Sequence, residues 1–186
     1  TSLYWYVANK DELLELAADE VLAEVARLVT HPDTDGAHWR ELGSRYAYGL
    51  RDVILRHPWL GRQVGVRPLI GPNALAVNAR LCEAFAKAGF RGRDVDYAVG
   101  AITAFALGTA LPEAAWRNGL ARLGIPEEEW EKQVRADMEL SAERYPELLR
   151  LSDEWMGCEN PTVARRVAFD FGLVSLLDGL EARLRP

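Results

Sequence analysis

The stretch from Tyr97 to Pro112 carries no charged side chain, and it restricts the fold more than any other segment of the chain. It is shorter than the ~18–20 apolar residues that span a bilayer. Read as a helix from Val95 to about Trp116, it has almost no polar face, and apolar surface left in water costs roughly 25 cal/mol per Å². The helix must therefore be covered on all sides. Gly100, Ala104 and Gly108 recur in it every four residues, and the last predicted helix holds Gly172, Ser175 and Gly179 at spacings of three and four. Each set makes a shallow groove that another helix backbone can approach closely. Two such helices from each of two copies would form a four-helix interface, and twofold self-association is the commonest way to cover such a surface. The alternative is that the small residues pack inside one subunit.

Helical periodicity runs through the remainder, and no stretch alternates apolar and polar residues long enough to read as a strand. The expected class is all-α. Asn9 can cap a helix that begins near Lys10, with Glu12 three positions on, and Leu14, Ala17, Val21, Val25 and Leu28 give that helix an apolar face. His31-Pro32-Asp33 and Gly36 break it. A second helix is predicted over about 37–56, with Leu42, Tyr46, Gly49, Leu50, Val53 and Ile54 facing in, and Pro58 opens a short one through Val64. A third runs from Gly71-Pro72 to about Ala88, with Leu75, Asn78, Leu81, Cys82 and Phe85 inward. Asp94 can cap the uncharged helix, Pro126 and three glutamates begin another, 143–160 reads as short helix and loop, and Asn160-Pro161 starts the last. The Pro and Gly density from 57 to 72 implies an irregular, deformable connection.

Composition narrows the function. The chain is 49% hydrophobic and 27% charged, which suits a packed core, and its formal net charge of −6 lacks the positive field of a nucleic-acid binder. Any DNA contact must be local or lie outside these residues. Two cysteines, Cys82 and Cys158, without a CxxC pair, point to a reducing, cytoplasmic setting, and no signal or anchor segment is expected.

Catalytic constellations are missing from the sequence. There is no GxSxG, HExxH, GxGxxG or P-loop pattern, and His31, His38 and His57 all fall at predicted helix ends, where capping is the simpler role. The acids from Glu127 to Glu131 lack the ExxH spacing of a helical di-metal site and suit a first turn. Neither an enzyme nor a metal or cofactor site is expected. Trp39, Tyr46, Trp59, Phe85 and Phe105 could instead line a cavity near the 57–72 segment, although core packing accounts for any one of them. Gln63, Arg67, Asn78 and Thr103 on otherwise apolar faces need partners if buried, and a ligand could supply them.

The segment Leu3-Tyr4-Trp5-Tyr6-Val7-Ala8-Asn9-Lys10-Asp11-Glu12-Leu13-Leu14 resembles, in the tetracycline-repressor type of bacterial transcription regulator, the junction between the recognition helix and the long helix linking the two domains. Weaker similarity continues through Val66-Arg67-Pro68, Ala88-Gly89-Phe90 and Phe105-Ala106-Leu107-Gly108. It extends into Phe169-Asp170-Phe171-Gly172-Leu173 and Leu177-Asp178-Gly179-Leu180-Glu181.

The resemblance implies a homodimer joined through the uncharged helix and the last helix. It implies that residues 1–9 are the C-terminal remnant of a helix-turn-helix domain and 10–186 the regulatory and dimerisation domain, with roughly forty preceding residues of the protein not in this chain. By position Tyr4, Tyr6 and Lys10 would touch operator phosphates. The slots that hold the magnesium of the chelated drug in the prototype are Gln63 and Pro112 here, which suit that metal poorly. The expected effector is a more apolar, metal-free small molecule in a pocket lined by Tyr46, Leu50, Gln63, Arg67, Leu81, Phe85, Val99 and Thr103. The resemblance thus implies a ligand-responsive transcriptional repressor. A helical dimer that only sequesters a small molecule is the rival.

Overall fold

The computed structural model describes residues 9–64, 70–140, 144–147, 150 and 161–184, with Arg62 and Pro161 described by their backbone alone. Among them the chain forms six α-helices: α1 Lys10–Thr30, α2 Trp39–Arg56, α3 Pro72–Ala88, α4 Arg93–Leu123, α5 Glu127–Leu140 and α6 Pro161–Ala182. The all-α expectation holds. Tyr4, Tyr6, Arg67 and Cys158 lie outside the described residues.

Local chemistry sets the helix limits. Asn9 is extended and its Oδ1 accepts from the Glu12 backbone N–H at 2.9 Å, which starts α1. His31 caps a 3-10 turn over Pro32–Thr34 and His38 caps α2, their Nδ1 atoms accepting from the Asp33 and Arg40 amides. Pro58–Arg62 forms a 3-10 turn where a short helix to Val64 was expected. Gly89 ends α3 in the left-handed region, φ 117°, where a Cβ would be strained.

Helix α4 begins two residues earlier than expected and passes both Pro112 and Trp116 to stop at Leu123. Gly124, at φ 67°, ends it, and the Ile125 amide bonds back to the Leu120 carbonyl at 3.1 Å. By length and composition alone α4 could cross a membrane. Ala98, Ile102, Ala106 and Ala110 are nevertheless buried along one face, which is how a core helix packs.

The chain divides into two compact units, Thr1–Ala114 with Ser175–Pro186, and Ala115–Val174. In the first, α1 packs against α2 and α3, and the interior is filled by Val25, Val29, Leu42, Val53, Ile54, Leu81, Phe85, Ile102 and Leu177. Trp39, Phe85 and Phe90 meet as an aromatic cluster with centroids 5.1–5.5 Å apart. Arg40 pairs with Asp178 and with Glu181 (3.1 Å), fastening the start of α2 to the end of α6. Arg51 and Glu113 form a buried ion pair at 2.6 Å. In the second unit the Arg165 guanidinium lies 4.6 Å over the Trp116 ring and bonds Glu127 at 2.7 Å, while Trp116 also packs on Trp130.

The buried face of α1 differs from the expected one. Ala18, Asp19, Leu22, Val25, Ala26 and Val29 are inside, and Leu28 is exposed. Asp19 is the one acid in this buried face, and its carboxylate serves a neighbouring helix.

Candidate ligand-binding site

Within the first unit a cavity of about 590 Å³, open at one side, lies among α1, α2, α3 and α4. Helix α1 contributes Leu22 and Val25, α2 Tyr46, Leu50 and Ile54, and α4 Val99, Thr103 and Leu107. The turn after α2 gives Leu60 and Val64, and α3 gives Ala74, Leu75, Val77, Asn78 and Leu81, with Ile70 just before it. Among the described residues the lining is apolar except for Tyr46, Asn78 and Thr103. That is the usual character of a small-molecule site: hydrophobic walls with a few polar groups that fix orientation. Ile70 (71% exposed), Leu75 (54%) and Asn78 mark its mouth, so Leu75 and Asn78 do not point into a solid core as expected.

The polar groups are ordered. The Thr103 hydroxyl donates to the Val99 carbonyl at 2.8 Å, and the Tyr46 hydroxyl lies 3.0 Å from Thr103 Oγ1. Burial pushes the Tyr46 pKa above its ordinary value. Asn78, near the mouth, accepts from the Cys82 thiol at 3.5 Å.

The wall next to α3 is tied to α1. Asp19 Oδ1 accepts from the Ala74 amide at 3.0 Å, and Oδ2 accepts from the Asn73 amide at 3.2 Å and from Asn73 Nδ2 at 2.9 Å. A side chain on one helix thus supplies the N-terminal cap of another. A Cβ on Gly71 would fall 2.2 Å from Asp19 Cγ, so the approach requires glycine there.

Of the eight residues expected to line a pocket, Tyr46, Leu50, Leu81, Val99 and Thr103 come together here. Phe85 does not: it is fully buried against Trp39 and Phe90, so its inward face leads into solid core. Gln63 sits on the turn after α2, outside the lining, and Arg67 is outside the described residues. Leu22, Val25, Ile54, Leu60, Val77 and Leu107 were missed. Extending two predicted rows by one turn, Tyr46-Leu50 to Ile54 and Val99-Thr103 to Leu107, would have found two of them.

A shallower groove shares Asn78, Val99, Thr103 and Leu107 with the cavity and continues past Asp96 to Gly100 and Ala104. Gly100, Ala104 and Gly108 are exposed on α4, as are Ser175 and Gly179 on α6, and Gly172 is partly exposed. Val167, Phe171 and Val174 also face solvent on α6, with Phe171 77% exposed. Lys10 is exposed at the start of α1. Among the described residues no group of three or more His, Cys, Asp or Glu is placed to hold a metal ion.

In the first unit helices α1 to α4 surround an apolar cavity, and α1 runs into it from the N-terminal side. The chain belongs to the family described as Tetracyclin repressor-like, C-terminal domain, which matches residues 31–184. An HTH-type transcriptional regulator of Saccharopolyspora erythraea is 42% identical over 118 residues, 63% of this chain and 48% of that protein. The HTH-type transcriptional repressor DrrR1 of Streptomyces coeruleorubidus is 30% identical over 183 residues, 97% of this chain and 64% of DrrR1. The chain thus spans between about half and two thirds of these relatives. The structure of the Streptomyces coelicolor TetR family protein ActR in complex with actinorhodin matches with a TM-score of 0.75 at 26% identity, covering 100% of this chain and 82% of that one.

Proposed function

We propose that this chain is the effector-sensing and dimerisation part, residues 10–186, of a cytoplasmic ligand-responsive transcriptional repressor, and that residues 1–9 are the tail of its helix-turn-helix domain. One observation carries the reading: the helix directly after that tail, α1, supplies Leu22 and Val25 to the wall of the cavity. A molecule entering the cavity presses on the element that holds the DNA-reading domain. The likeness to DrrR1, a repressor, and to ActR, solved with actinorhodin, supports it.

Two recognition helices in a twofold dimer must sit about 34–36 Å apart to enter successive major grooves. Displacing α1 changes that distance. A difference of ~1–3 kcal/mol between the two states alters operator affinity roughly 5- to 150-fold. The exposed small-residue faces of α4 and α6 form the dimer interface in this reading, and Tyr4, Tyr6 and Lys10 meet phosphates. The effector is a largely apolar molecule bound without metal.

The test uses the gene-length protein with its N-terminal domain. Native mass spectrometry identifies the co-purified small molecule, and DNA selected from genomic fragments is titrated with and without it. A change in DNA affinity within the range above supports the reading. Tight ligand binding that leaves DNA affinity unchanged makes the protein a sequestering dimer instead.

A further inference from the structure

We infer that the cavity presents a hydrogen-bond acceptor, the Tyr46 phenol oxygen, and so selects effectors that carry a hydroxyl or N–H donor; this rests on the cavity being the effector site. The inference comes from the order of protons along three atoms. Thr103 Oγ1 lies 2.8 Å from the Val99 carbonyl oxygen. A carbonyl cannot donate, so the single hydroxyl proton of Thr103 occupies that contact. Tyr46 Oη lies 3.0 Å from the same Oγ1, and with the threonine proton committed, the tyrosine must be the donor.

The relay therefore runs from Tyr46 O–H to Thr103 O–H to the Val99 carbonyl. It spends the phenol proton on the protein and leaves only lone pairs on the Tyr46 oxygen. Tyr46 and Thr103 both line the cavity among aliphatic side chains, where an unmatched polar contact costs more than in water. A ligand hydroxyl or N–H finds a partner there, whereas a ketone or carboxylate oxygen meets a second acceptor. Burial holds the phenol protonated, so the relay persists through neutral pH. Asn78 is the other polar group of the described lining, but it is exposed near the mouth, where water competes for its amide.

Three naphthalenes of nearly equal size test this on the full-length protein by calorimetric titration: 2-naphthol, 2-methoxynaphthalene and 2-acetylnaphthalene. The naphthol should bind about 3- to 10-fold more tightly than the other two. Tyr46→Phe should erase the preference while the ether binds as before. Thr103→Val removes the relay's acceptor, frees the phenol proton and should raise the affinity of the ketone relative to the naphthol. Equal binding of all three by the wild type, a preference for the ketone, or a naphthol preference that survives Tyr46→Phe overturns the acceptor assignment alone. Failure of every naphthalene to bind overturns the effector-site reading, and this inference with it.

Discussion

Asp19, on α1, caps α3 by accepting the backbone amides of Asn73 and Ala74 at 3.2 and 3.0 Å, across more than fifty residues of chain. The residue after this cap pair, Leu75, and Ala74 itself line the cavity mouth and wall, so one carboxylate joins α1 to the cavity.

Removing that carboxylate strands the first amides of α3, and loss of an N-cap costs about 0.5–2 kcal/mol. Asp19→Ala should lower stability in urea unfolding by that amount. Gly71→Ala should do the same by pushing its new methyl into the carboxylate. The double variant should lose less than the sum, because the truncated Asp19 makes room for the methyl. Strict additivity would show that the two residues do not act on one contact.

The Arg51–Glu113 pair is buried on both sides, its side chains 10% and 7% exposed. Deleting one partner of such a pair leaves an uncompensated charge and costs about 3–5 kcal/mol, while replacing both by apolar groups can be neutral. Arg51→Met and Glu113→Leu should each destabilise strongly, and the double variant should recover most of the loss. Single variants within about 0.5 kcal/mol of wild type, the ordinary range for surface changes, would contradict this.

Glu24 of α1 takes a hydrogen bond from Arg56 at the end of α2 and faces His57, and the Arg56 bond above all holds its carboxyl below the usual glutamate range. A carboxyl with a lowered folded-state pKa adds stability above its unfolded value, and that contribution disappears as pH falls through the folded value. Glu24→Gln should cost about 0.2–1 kcal/mol at pH 7, given the solvent screening of the pair, and nothing once the carboxyl of the wild type is protonated. A pH-independent difference in thermal midpoint would place the effect elsewhere.

Ala104 lies in the exposed small-residue stripe of α4. An arginine there puts a long charged side chain where the dimer reading needs a close backbone approach. Ala104→Arg should shift the protein from dimer to monomer in sedimentation equilibrium while its helical circular dichroism is retained. A dimer that survives moves the interface off this face.

Lys10, exposed at the first turn of α1, is the described member of the phosphate-contact set. Lys10→Ala in the gene-length protein should weaken operator binding, reduce the slope of log affinity against log salt by about one, and leave effector affinity alone. An unchanged slope removes the residue from the DNA surface.

Much of the fold was readable because helix ends are written in local chemistry: Asn9 caps where expected, α3 ends at Ala88 as expected, Pro58 opens a 3-10 turn and Pro72 opens α3. The end of α4 was misjudged at Trp116 although Gly124 carried the stop, because Pro112 and the charges after it imitate a terminus. The buried face of α1 was misplaced because two overlapping rows of apolar residues share Val25 at helical spacing, and periodicity alone does not choose between them. For the cavity, the pattern tells which residues face inward but not whether they meet space or other atoms. Leu50 and Phe85 both face inward; one borders the void, the other is locked between two aromatic rings.

On α4, Val99, Thr103 and Leu107 border the cavity, and Gly100, Ala104 and Gly108 stand one position further along the same rigid rod. A helix cannot slide or roll on one side only. In the proposed reading, a molecule wedged beneath Thr103 would therefore nudge the Ala104 side in the same instant, and a second copy resting on that outer side would feel the guest arrive without any intermediary.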